Sequence, residues 1–148
     1  MSKDPGTPLP DTQYWRTYQG PFSGILTWDG FDDLWARLNE TQGAWYVFDP
    51  EKEAPVKAET PEEFHATLEQ AGLMLESVRN RSYCGAVYVD DPQSPSFVKV
   101  FDPYHMGSAC GGGGERVLPR WIFSRIAPDT LPPAPEPTRK GLFARIGM

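Results

Sequence analysis

Residues 82–103 read SYCGAVYVDDPQSPSFVKVFDP, two runs rich in β-branched and aromatic residues joined by PQSP at 92–95. A short Pro/Ser connector between such runs predicts a β-hairpin. Tyr83 to Val89 is apolar at both parities, which predicts a central strand covered on both faces. Working outward, FSGILTW (22–28) and AWYVFDP (44–50) predict two earlier strands, and RWIFSRI (120–126) predicts a last one.

Helical patterns separate the early strands. In DGFDDLWARLNE (29–40), Asp29 is the expected N-cap, and Asp32 and Asp33 favour the positive end of the helix dipole. Phe31, Leu34, Trp35 and Leu38 share one face, and Gly43 follows as a stop. TPEE (60–63) carries a capping box, with Thr60 as cap, Pro61 at the first helical position and Glu63 reaching back. Phe64, Leu68, Ala71, Leu75 and Val78 then recur at helical spacing. Leu73 falls about 180° from that apolar line, on the face expected to be wet, and is a candidate contact. The element order is β-α-β-α-β-β-loop-β. It predicts one α+β domain (α/β as the alternative), with a mixed, mostly antiparallel sheet of about five strands and two helices.

Composition sets the boundaries. Residues 1–13 form a polar, Pro-rich arm and residues 14–127 the globular domain. Residues 128–138 form a linker with five prolines in PDTLPPAPEP, expected to be extended, and 139–148, ending in RKGLFARIGM, a basic-apolar tail. The chain has 148 residues, 13% of them aromatic, enough for a substantial core. The net charge of −6 argues against a general nucleic-acid binder. Residues 29–78 hold twelve acids against three bases, a net −9, whereas 115–148 hold six bases against three acids, a net +3. Such asymmetry can steer a partner with a matching field, although acids on amphipathic helices also serve simple solvation. The opening MSKDPGTPLPD has no apolar core of a secretory signal, and no stretch approaches the ~20 apolar residues that span a membrane. Two cysteines without an export signal are expected to be reduced thiols, which predicts a cytoplasmic protein.

The stretch HMGSACGGGGER (105–116) is the most unusual in the chain. As a phosphate cradle, Gly111, Gly112, Gly113 and Gly114 lack the Lys-Ser or Lys-Thr of a P-loop and do not open a helix. An anion nest remains the alternative, which would make the protein a small phosphate-ligand sensor. As a metal site, only His105 and Cys110 are local, and Cys84 and His65 would have to converge on them. As a reactive thiol, Cys110 has Arg116 and loop amides to lower its pKa and His105 as the nearest base. That alternative is a thiol- or metal-dependent enzyme or a redox sensor. The simplest reading is that four glycines let the backbone lie close to the sheet or to a partner. Cys84 is expected to be a small buried side chain. No cofactor is implied.

SYCGAVYVDD, then KVFDP, GSACG and LPRW resemble a group of small proteobacterial proteins with YCG-x-VY-x-DD, K-[VI]-[FY]-DP, G-S-x-CG and P-x-W blocks. The likeness extends over roughly 20–130, because FSGILTWDGFDDLWARL also resembles them, and excludes the tail. It implies a place near nitrogen-fixation genes and an accessory or protective role toward a large metalloenzyme, and no catalytic residue comes with it. The expected function is therefore a non-enzymatic binding protein. Its contacts would be Gly111 to Gly114, Arg116, Leu73 and the tail anchors Leu142, Phe143 and Ile146.

Overall fold

In the computed structural model, residues 9–104 and 117–130 are described. Thr60 closes the predicted capping box: its hydroxyl accepts from the Glu63 amide at 3.1 Å, and the Glu63 carboxylate accepts from the Thr60 amide at 2.9 Å. The helix that follows is Pro61–Glu76 (α3), with Phe64, Leu68, Ala71 and Leu75 buried. The helix before it, Trp28–Glu40 (α2), starts one residue earlier than the sequence suggests, and its cap lies two residues earlier. Thr27, not Asp29, is the N-cap, because its hydroxyl accepts from the Gly30 amide at 2.9 Å; Asp29 lies in the first turn. The predicted apolar face of α2 is buried throughout.

A third helix, Gln13–Tyr18 (α1), was not anticipated. Six residues are too few to show a period, and a helix this short is marginal without packing. What holds it is the burial of Tyr14, Trp15 and Tyr18 against the sheet.

The strands are Ser23–Ile25 (β1), Tyr46–Phe48 (β2), Val87–Val89 (β3), Phe97–Val100 (β4) and Trp121–Ser124 (β5). They form one sheet in the order β1-β3-β4-β5-β2, so the domain is α+β. Every pairing is antiparallel, so the parallel contact that a mixed sheet would need does not occur among the described residues. The 82–103 hairpin forms as β3–β4, and its turn is held by Asp90, whose carboxylate accepts from the amides of Ser96 and Phe97. The central strand is β4; β3 lies beside it, covered by β1. The strand is also shorter than its apolar run. Gly85 has a positive φ of 73°, which takes the backbone out of strand geometry, and Tyr83 before it is 59% exposed.

Alternation along the strands sorts the core into two layers. Val87, Val89, Val98, Val100, Trp121 and Phe123 face α2 and α3. Phe48, Phe97 and Ile122 face α1. Aromatic pairs tie the first layer together: Trp45 stacks on Phe64 at 5.2 Å, and Phe64 meets Phe123 edge-on at 5.4 Å. The packed chain continues into the stretch grouped with the linker by composition. The Trp15 indole donates to the Asp129 carbonyl at 3.0 Å, and the Ala54 amide donates to the Thr130 hydroxyl at 2.6 Å.

Candidate partner-binding surface

The outer surface of the α2–α3 layer has an open trough. Trp35, Leu68 and Gly72 line it along with Asn39, His65, Glu69, Leu73 and Glu76, and its volume is about 420 Å³. The trough exists because the helices approach closely at one point. The Trp35 indole donates to the Leu68 carbonyl at 2.9 Å, and a Cβ on Gly72 would meet that indole nitrogen at 3.2 Å. Any larger residue at position 72 would push the indole or the helices apart. At one end, the His65 ring is 3.0 Å from the carbonyl of Asn39 and bridges the two helices.

Leu73 is 66% exposed and lines this trough. Helical phase alone points to it, and the structure places it on the wet side of α3. At the other end, Arg79 donates to Glu76 and to Asp32, at 2.6 Å each. Its guanidinium lies 4.9 Å over the Trp28 ring. The hydrogen bond from Arg79 holds Glu76 below the usual carboxylate range. Two carboxylates against one guanidinium leave this end negative, and Glu69 has no cation beside it among the described residues.

A second incompletely covered surface lies on the opposite face of the sheet, beside α1. Lys99, on β4, is half-buried with its ammonium 3.9 Å from the centre of the Tyr18 ring and 4.0 Å from that of Phe22. Tyr88, the cross-strand partner of Lys99, lies on the same face, and its ring meets that of Phe101 edge-on at 5.7 Å. Burial pulls the Lys99 amine down to about 8. Sequence reading passed over this residue. The signal was available: in FVKVF, Lys99 shares parity with Phe97 and Phe101 and so points where an apolar side chain is expected.

Cys84 is buried, and burial pushes its thiol up, so it is a core side chain as expected. His65 is engaged with the Asn39 carbonyl on the outer helical layer. Among the described residues no three His, Cys, Asp or Glu side chains gather as a metal set. His105, Cys110, Gly111, Gly112, Gly113, Gly114 and Arg116 lie outside the described residues, as do Leu142, Phe143 and Ile146. No helix among the described residues is long and apolar enough to cross a membrane.

Compared with known proteins, the chain matches no family model, no curated protein and no solved structure.

Proposed function

We propose that this chain is a non-enzymatic accessory protein that docks onto a larger protein in the cytoplasm and modulates or protects it. The resemblance to proteins near nitrogen-fixation genes makes a metalloenzyme such as nitrogenase the partner class to test first. The observation that carries the reading is Leu73, an apolar side chain held in water on the rim of an open, acid-edged trough. A leucine there gains its hydrophobic stabilisation only when another surface covers it. The excess of acids over 29–78 supplies a field that orients a basic partner surface and speeds encounter. Gly111 to Gly114, Arg116 and the anchors Leu142, Phe143 and Ile146 belong to the same reading as further contacts.

The test is capture from the native host followed by reconstitution with the purified partner. The full chain, a Leu73→Glu variant and a version lacking residues 132–148 are compared at low salt. Specific enrichment by the full chain that Leu73→Glu weakens at least tenfold, about 1.4 kcal/mol, supports the reading. No enrichment, or enrichment indifferent to Leu73, overturns it. Three measurements on the purified protein report the rival classes: one equivalent of bound metal, a Cys110 thiol titrating well below ~8.5, or thermal stabilisation by nucleotides.

A further inference from the structure

Of the two incompletely covered surfaces, one has a complement within the chain itself. Residues 139–148, RKGLFARIGM, carry Arg139, Lys140 and Arg145 with no acid, and the apolar Leu142, Phe143 and Ile146. The sheet face beside α1 presents the Lys99 ammonium and repels such a segment. The α2–α3 trough offers the opposite: an apolar floor of Trp35 and Leu68, the exposed Leu73, the carboxylate of Glu69, and the negative Asp32–Arg79–Glu76 end. We infer that residues 139–148 seat in the α2–α3 trough of the same molecule when no partner is bound.

Chain length permits it. Thr130 is tied to Ala54 by the 2.6 Å hydrogen bond. The eight residues 131–138 can span about 28 Å at full stretch, or about 25 Å in the extended conformation that prolines favour. From Ala54, six residues lead to the cap of α3 at Thr60, at most about 20 Å. The His65 end of the trough lies about 7 Å further along the helix axis. A tether of this length holds the segment near the trough at an effective concentration in the millimolar range, so individually weak contacts suffice. The seating deepens the proposed function, since the tail then covers the face on which that reading rests. Displacement by a partner would expose Leu73 and the tail anchors together.

Paramagnetic broadening in the full chain tests this without any partner, so it and the proposed function fail separately. A nitroxide is attached at Ala144→Cys in a Cys110→Ser background; Cys84 is buried and stays unlabelled. Seating predicts selective loss of amide intensity over residues 65–76, with residues on β1 and β3 spared. The loss should be abolished by Leu73→Glu, by Phe143→Ser in the tail, and at about 1 M salt, where the Debye length is ~3 Å. Leu73 is exposed, and the rest of the spectrum reports whether each variant remains folded. Broadening that is uniform, absent, or centred on Lys99 overturns the inference. So does loss seen only when spin-labelled and isotope-labelled molecules are mixed, which would place a second copy in the trough.

Discussion

Replacing Lys99 with Met is expected to stabilise this protein at neutral pH, and the gain should fade as pH rises. The ammonium is half-buried on the central strand, and burial alone draws its pKa from 10.5 to about 8. At ~1.4 kcal/mol per unit, that gap is about 3 kcal/mol of differential destabilisation of the charged form. Two effects oppose it. Each ring face returns roughly 0.5–1 kcal/mol to the cation, and residual solvent contact screens a further part. The remaining cost is about 1 kcal/mol. Met keeps the unbranched stem and removes the charge. The sign follows from proton counting. Between pH 8 and 10.5 the folded chain has released the Lys99 proton while the unfolded chain still holds it, so wild-type stability rises with pH across that window. The variant lacks this rise. Urea denaturation at pH 7, 8, 9 and 10, with the slope m checked for constancy, measures both curves. A Lys99→Met protein less stable than wild type at pH 7, or a difference that does not shrink toward pH 10, would refute the reasoning.

Other outcomes are expected from the same packing. The Tyr14 hydroxyl is buried beside the Ser124 hydroxyl, which donates instead to the Ile126 carbonyl, so Tyr14 has no well-formed hydrogen bond among the described residues; burial drives its pKa far upward. Tyr14→Phe should therefore keep or raise stability, by up to ~1 kcal/mol, in the same denaturation assay; a loss above ~1.5 kcal/mol would reveal a bond that the geometry lacks. Gly85→Ala places a Cβ on a residue with φ of 73°, 2.9 Å from the Tyr83 ring, and should cost about 1–2 kcal/mol by thermal or urea unfolding. Cys84 should resist alkylation in the native protein and react once urea unfolds it, because burial excludes reagent and raises its pKa. Rapid native labelling mapped to Cys84 by mass spectrometry would contradict the packing of the first core layer.

Local chemistry made much of the fold readable. The Thr60 capping box, the apolar faces of α2 and α3, and the hairpin connector PQSP (92–95) all involve groups close together in sequence. Their geometry follows from helical or strand periodicity with no knowledge of the rest of the chain. The misplaced N-cap shows the limit of such reading: Thr27 and Asp29 both can cap, and the choice fell to the hydroxyl that reaches the Gly30 amide. The exposure of Leu73 is likewise a consequence of phase along a single helix. The trough beside it is not, since it needs the Trp35 indole to meet the Leu68 carbonyl across 33 positions of sequence.

Sequence by itself thus determined where α2, α3 and the β3–β4 hairpin form, that the domain is α+β, and that the acids concentrate in the helical half. Tertiary structure alone decided the order β1-β3-β4-β5-β2, the formation of α1, and the environment of Lys99. The physical reason is distance along the chain. A six-residue helix has no stability until the sheet covers its aromatic side. A lysine's proton affinity depends on rings brought to it from positions 18 and 22, some 80 residues upstream. Strand neighbours are chosen by which apolar faces can be buried together, a condition satisfied only by the whole assembled sheet.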